Sequence, residues 1–292
     1  MILVDYSQTV IAAAFAGGAM THTPDADLLR HLILNTLQSY NMKYKAKFGR
    51  LVICADGANS WRKSEFEYYK ANRAKGRKES GIDWSSIFDV LNTVLQEMQD
   101  VSLFPCIRVT HAEADDVIGV LTKKAFRESE KVLIISSDKD FVQLQKYAGV
   151  EQYSPAINMY KGGFVKNDTP AQFLIEHIIK GDSGDGIPNI FSRPDVFVDP
   201  NARQTPASKK KIAQMMDYVY GNGVSSVPDE WRQNFERNQK LIDLDHTPKD
   251  ISEIILAQAA DEFQKAPKKA EFLQYLVANR CALLAQNIHN FF

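Results

Sequence analysis

The sequence predicts an α/β fold, a mostly parallel central sheet flanked by helices, followed by a helical region. Three observations carry that expectation. Short β-branched runs, Ile2-Leu3-Val4, Leu51-Val52-Ile53 and Val132-Leu133-Ile134-Ile135, alternate with helical segments, as buried parallel strands do. Each run leads to carboxylates: Asp5, Asp56, and, past two serines, Asp138 and Asp140. A further run, Ile107-Arg108-Val109, leads into Glu113-Ala114-Asp115-Asp116. Finally, the chain changes character from Pro170 onward, where helices and irregular loops replace strand-like runs.

After strand 1, residues 7–16 read as a helix and residues 24–48 as a longer amphipathic one. Strand 2 ends at Asp56, and a charged, Tyr-containing helical stretch covers 61–80. Ile87, Val90, Leu91, Val94, Leu95 and Met98 recur at helical spacing, which predicts a helix over 84–98. Strand 3 follows, then a helix from the acidic cluster to about Glu128, strand 4, and a short helix over 139–147. Residues 150–165, broken by Gly162-Gly163, read as a hairpin. In the second part, 191–206 reads as a loop rich in Pro, Asp and Arg. Helices are expected over 207–220, 229–244, 249–264 and 268–286. The change of character near residue 180 divides the chain into an α/β part, 1–180, and a helical part, 181–292, packed on it.

The 292 residues suit one large domain or one and a half, and 45% apolar with 24% charged residues is an ordinary globular composition. There is no apolar stretch of about 18 residues, so no membrane span is expected. Asp5 interrupts the first apolar run too early for a signal peptide. Cys54, Cys106 and Cys281 are widely spaced in apolar settings, as reduced core residues of a cytoplasmic protein would be.

In an open α/β sheet the ligand site lies beyond the carboxyl ends of the strands, where these acids fall. A single acid there usually caps the next helix. Several converging on one edge repel each other unless cations sit among them. Asp138 and Asp140, at spacing i, i+2, can both face a cation. Glu113 and Asp116 share a helical face. Gly181-Asp182-Ser183-Gly184-Asp185-Gly186 adds two acids among glycines, which permit positive dihedrals and close approach of a phosphate backbone. The formal net charge of −1 conceals a split. Removing the nine acids Asp5, Asp56, Glu113, Asp115, Asp116, Asp138, Asp140, Asp182 and Asp185 from the total of 36 leaves 27 against 35 Lys and Arg. Such a surface binds phosphates once the nine are neutralised by metal. Lys70 and Arg73 share a helical face, flanked by Arg62, Lys63, Lys75, Arg77 and Lys78. Basic residues with interleaved aromatics suit contact with a single nucleic-acid strand, although a solvated face has the same composition.

Together these strings resemble the flap endonuclease/5′-nuclease family, almost end to end and in order. They are VDYSQ at 4–8, ICADGANSWRKSEF at 53–66, YYKANRAKGRKES at 68–80, HAEADD at 111–116, LIISSDKDF at 133–141, KGDSGDGIP at 180–188 and LIDLDHTPKDI at 241–251. The resemblance implies a PIN-like 5′-nuclease fold. The implied enzyme is a metal-dependent 5′-to-3′ exonuclease and flap endonuclease that removes RNA primers and 5′ flaps from duplex DNA or RNA–DNA hybrid during replication. Asp5, Asp56, Asp115 and Asp138 would line a first metal site, with Glu113 and Asp116 beside it. Asp140, Asp182 and Asp185 would form a second. Lys70 and Arg73 match the family's Tyr-Lys-x-x-Arg motif, whose basic pair contacts the scissile phosphate. Residues 62–80 would be the arch that admits a free 5′ end, and 180–215 the helix–three-turn–helix element that grips duplex. One departure stands out. Asn189-Ile190-Phe191-Ser192-Arg193-Pro194 replaces the Gly-rich turn that holds a potassium ion in many members, so no potassium site is expected. Lys209, Lys210 and Lys211 open a later helix and are candidates for duplex contact.

Magnesium at two sites is the natural cofactor, with manganese as a substitute, because hard oxygen ligands suit both ions. Two such ions activate a water, polarise the phosphodiester and stabilise the leaving oxygen without a protein nucleophile. The ending Ile288-His289-Asn290-Phe291-Phe292 reads as aromatics docked on the body. Its spacing, through Ile288, Phe291 and Phe292, also resembles tails that bind a sliding clamp. A single-strand-binding protein is the other protein partner considered, and nothing indicates more than a monomer. Two other readings share the acids: a PIN-type ribonuclease acting on single strands, and a structure-specific DNA-binding protein with a decayed site. A haloacid-dehalogenase-type phosphatase needs Asp-x-Asp after strand 1, and this chain has Asp5-Tyr6-Ser7.

Overall fold

A computed structural model describes residues 1–18, 25–158 and 161–292. Among them, six strands form one sheet: β1 (Ile2–Asp5), β2 (Leu51–Cys54), β3 (Cys106–Ile107), β4 (Val132–Ile135), β5 (Val150–Asn158) and β6 (Lys161–Val165). The spatial order is β3-β2-β1-β4-β5-β6, with β1 to β5 parallel and β6 antiparallel to β5. Ile2 aligns with Leu51 and Leu133, so β1, β2 and β4 end together. Alternation along each strand divides the core in two. Ile2, Val4, Ile53, Leu133 and Ile135 face one apolar layer, and Leu3, Val52, Cys54, Val132 and Ile134 face the other.

The helices follow from their caps and apolar faces. Asp5 caps α1 (Tyr6–Ala16), and Asp25 caps α2 (Ala26–Phe48) by accepting from two backbone N–H groups. Residues 61–80 are not one helix. They form α3 (Arg62–Glu65) and α4 (Arg73–Glu79), separated by a turn in which Phe66 and Tyr69 are buried and Lys70 has φ of 57°. Burial of those aromatics beneath the turn offsets the lost helical bonds. Next come α5 (Trp84–Asp100) and α6 (Ala114–Arg127), then a 3-10 helix over Lys139–Lys146. The strand expected over 107–109 is shorter, and Gly162-Gly163 lie inside β6 instead of at the turn. A Cβ at Gly162 would stand 2.4 Å from the Tyr153 hydroxyl, so the glycine lets the two strands pair closely.

Six helices follow: α7 (Pro170–Lys180), α8 (Lys209–Asn222), α9 (Asp229–Ile242), α10 (Lys249–Gln264), α11 (Lys269–Ala278) and α12 (Ala282–Gln286). The helix expected over 268–286 breaks between α11 and α12, where Arg280 adopts φ of 56° and the Cys281 N–H returns to the Leu276 carbonyl. Residues 181–208 between α7 and α8 contain no helix or strand, so the expected helix–three-turn–helix here has a long irregular connection. Helices α7, α8 and α9 build a third apolar cluster that takes in Phe66 and Tyr69. The later helices return to the sheet. Ile251, Ile255 and Ala259 of α10 join one layer, and Phe272, Leu276, Leu284 and Phe291 join the other. No helix among the described residues is long and apolar enough to cross a membrane.

Candidate active site

Asp5, Asp56, Glu113, Asp115, Asp138 and Asp185 line one cavity of about 540 Å³, together with Lys63, Lys70, Arg73 and Arg77. The cavity lies where β1, β2 and β4 end, because Asp5 closes β1 and Asp56 and Asp138 follow β2 and β4 within three residues. Several of these acids also serve the backbone, as the simpler capping reading requires. Asp5 accepts from the Gln8 N–H at 3.3 Å and the Ser136 hydroxyl at 2.9 Å. Asp56 accepts from the Ala114 N–H at 3.0 Å, and Asp138 from the Asp140 N–H at 2.9 Å. These bonds fix the side chains; they engage both oxygens of Asp5 but only one each of Asp56 and Asp138.

Crowding has an electrostatic signature. Burial, reinforced by Asp56, pushes Asp5 up to about 7. Burial and Asp138 raise Asp115 well above the ordinary carboxylate range. Burial raises Asp138 against the bond from Asp140, with Asp185 and Asp182 adding to the rise. Such a set holds its negative charge only when cations share the space. The donors are carboxylate oxygens, which fits hard divalent ions.

Opposite the acids, Lys70 Nζ lies 2.6 Å from Glu113 Oε1 and 3.5 Å from Asp185 Oδ2, and Arg73 pairs with Asp185. Burial pulls the Lys70 ammonium down, but Asp185 and Glu113 outweigh it and leave its pKa raised. The Tyr69 hydroxyl lies within hydrogen-bond distance of both acids, at 2.8 Å from Glu113 and 2.9 Å from Asp185. The Lys70 N–H donates to the Asp185 carbonyl at 2.7 Å. Gly186, at φ of 72°, makes this approach possible: a Cβ there would meet the Tyr68 carbonyl at 2.9 Å. The close approach at this glycine is made by the backbone of Tyr68 and Lys70.

Several expected site residues lie elsewhere. Asp116 is fully buried and is not a cavity residue. Its carboxylate takes two bonds from Arg62, at 2.8 and 2.9 Å, and others from the Trp61 indole and the Thr247 hydroxyl. This replaces the reading of Asp116 as a metal neighbour, because its oxygens are already engaged. Arg62 likewise is no surface contact for nucleic acid. It is 2% exposed and also holds Glu113 Oε2 at 3.0 Å and the Leu241 carbonyl at 2.9 Å. No sequence spacing announces this pair, whose members are 54 positions apart.

Asp140 and Asp182 are absent from the cavity lining and instead flank His177, with carboxylate–imidazole distances of 3.3 Å each. His177 was not legible as a site residue, since the histidines show no recurring spacing. Lys63 and Arg77 face the cavity, Lys78 is exposed, and the Lys75 side chain lies outside the described residues. Lys209, Lys210 and Lys211 are exposed in the first turn of α8, with Ser208 as the cap. In the tail, Phe291 is 2% exposed and packs on Phe104 and Phe272, so the docked reading applies and the residue is not free for a clamp.

Carboxylates at the carboxyl edge of a parallel sheet, faced by Lys70 and Arg73, define a metal-dependent phosphodiesterase. Residues 1–169 match the family described as "5'-3' exonuclease, N-terminal resolvase-like domain", and residues 170–291 match "T4 RNase H, C terminal". The chain belongs to this 5′-3′ exonuclease family. It is 32% identical to ribonuclease H of Enterobacteria phage T4, with 99% of this chain and 95% of that protein aligned. It is 30% identical to flap endonuclease Xni of Shewanella woodyi, over 51% of this chain and 57% of the other. The fold is similar to that of the bacteriophage T5 flap endonuclease, crystallised as a pseudo-enzyme–product complex with DNA and metal ions. There the TM-score is 0.63 at 17% identity, covering 90% of this chain and 99% of that one.

Proposed function

We propose that this chain is a divalent-metal-dependent 5′-to-3′ exonuclease and flap endonuclease that removes RNA primers and 5′ flaps during replication. The observation that carries the reading is the gathering of six carboxylates and the Lys70/Arg73 pair around one cavity. Asp5, Asp56, Asp115, Asp138 and Glu113 would hold one ion, and Asp185, with Asp140 and Asp182, a second. Magnesium is the ion we assign, on the hardness of the oxygen donors. When bound, the ions supply Lewis-acid polarisation of the phosphodiester and a more acidic water. Lys70 and Arg73, now paired with Glu113 and Asp185, would exchange those partners for the scissile phosphate and offset its developing charge.

Lys63 and Arg77, on the cavity wall, and exposed Lys78 are placed to follow the single strand by its phosphates. Three lysines at the start of α8 oppose the helix dipole, an arrangement that favours a phosphate there. The helical part from about residue 181 would thus hold duplex by shape and charge, without reading bases. We take the enzyme to act as a monomer. A sliding-clamp contact through the tail finds little support, since Phe291 would have to leave the core.

A gel assay on 5′-flap and blunt duplex substrates, with and without magnesium, tests the reading. The wild type cleaves both only with the metal, whereas Asp138→Asn binds duplex but does not cleave. Wild-type cleavage by that variant would overturn the site. Cutting restricted to single-stranded RNA would favour the PIN-type reading, and binding without any cleavage the decayed-site reading.

A further inference from the structure

We propose that Asp140, His177 and Asp182 form a mixed nitrogen–oxygen site, so that the second metal position here binds a first-row transition ion more tightly than magnesium. The inference rests on the reading of Asp140 and Asp182 as ligands and adds to it a donor that the oxygen-only set lacks. His177 stands on the last turn of α7 with its side chain 5% exposed. Its Nδ1 is 3.3 Å from Asp140 Oδ1 and its Nε2 3.3 Å from Asp182 Oδ2. Despite those distances, neither ring nitrogen nor Asp140 Oδ1 makes a hydrogen bond of acceptable geometry. One donor atom from each of the three residues falls within 4.8 Å of the others.

A buried polar atom without a partner loses its hydration and gains nothing in return. The two ring nitrogens face different carboxylates, so only one of them can take an ion, and an ion shared by that nitrogen and carboxylate oxygens of Asp140 and Asp182 would supply the missing partner. Imidazole decides which ion. Magnesium takes oxygen donors and keeps its waters, while manganese, cobalt and zinc accept nitrogen, increasingly along the series to copper. One ring nitrogen would face the ion and leave the other N–H for the facing carboxylate, the arrangement that fixes a ligating imidazole. The edge of the Phe173 ring, 5.7 Å between centroids, holds the imidazole from the side. Access is separate from the acid-lined cavity: His177 borders a second cavity of about 230 Å³ with Lys139, Lys180 and Phe173. Lys139 Nζ lies 3.0 Å from Asp182 Oδ2 but is more than half exposed, so it is free to swing aside.

The test uses the full chain, stripped of metal and titrated with Mn²⁺ alone, read by spin-echo modulation from ¹⁴N at the manganese. The expected result is imidazole coupling in the wild type, its loss in His177→Gln, and a fall in Mn²⁺ affinity at that site of about 10–100-fold or more. Asp182→Asn should weaken the same signal, which keeps the test decisive if His177→Gln fails to fold. Asp5→Asn should retain the coupling while losing cleavage. Absence of nitrogen coupling in the wild type, or its persistence in His177→Gln, overturns the inference and leaves the nuclease reading to the flap assay. Coupling in a protein whose Asp138→Asn variant still cleaves would sink the nuclease site and leave the nitrogen site standing.

Discussion

Replacing Asp5 by Asn should make the metal-free protein more stable and the enzyme inactive. In the folded chain the Asp5 carboxyl titrates at about 7, against 3.8 for the free side chain, chiefly because it is buried and secondly because Asp56 is near. Between about pH 4 and pH 7 the native state therefore carries a proton that the unfolded chain has lost, and stability falls as pH rises through that window. A rise of roughly three pH units corresponds to about 4 kcal/mol, fully expressed at pH 8. Asn has the same shape and no charge, and its carbonyl still accepts from the Gln8 N–H, so most of that cost disappears. The assay is urea unfolding in chelator at pH 5 and pH 8. The stabilisation by Asp5→Asn should be larger at pH 8 by roughly 3 kcal/mol, since only two of the three units separate pH 5 from the plateau. Magnesium should narrow the gap at pH 8 by stabilising the wild type alone. An Asn variant no more stable than wild type at pH 8 would refute the claim that burial, reinforced by Asp56, makes the Asp5 charge costly.

Arg62→Met leaves the fully buried Asp116 carboxylate without its cation, and the cost should be about 3–5 kcal/mol in urea unfolding; a loss under 1 kcal/mol would mean that Arg62 is not the keystone described. Phe291→Ala removes a ring packed on Phe104 and Phe272 and should cost about 3–5 kcal/mol; an unchanged unfolding midpoint would return the tail to the list of free segments. Replacing Lys209, Lys210 and Lys211 together by Ala should weaken duplex binding and make the plot of log affinity against log salt shallower by about two to three. An unaltered slope in a fluorescence-anisotropy titration would remove these lysines from the duplex interface.

The strands and their terminal acids were legible because a buried parallel strand has little choice of residue and its end is marked by a polar switch. Helix α10 was legible to the residue, bounded by Pro248 and by the apolar period of Ile251, Ile255 and Ala259. What failed depended on partners distant in the chain. The 61–80 stretch has helical composition throughout, but Tyr69 is drawn down between Glu113 and Asp185, and that contact breaks the helix at Lys70. Asp116 and Asp115 are adjacent and look alike, yet one turns inward to Arg62 and the other faces the cavity. Composition also concealed His177, which acquires neighbours only when α7 packs beside the 3-10 turn after β4.

The bond from the Lys70 amide to the Asp185 carbonyl, beside the Arg73–Asp185 ion pair, ties the turn between α3 and α4 to the loop that follows α7. If Lys70 and Arg73 act as proposed, an incoming strand that draws them to its phosphate would free Glu113 and Asp185 of their present partners. On that reading the substrate would itself release two of the proposed metal ligands, which the resting protein keeps engaged.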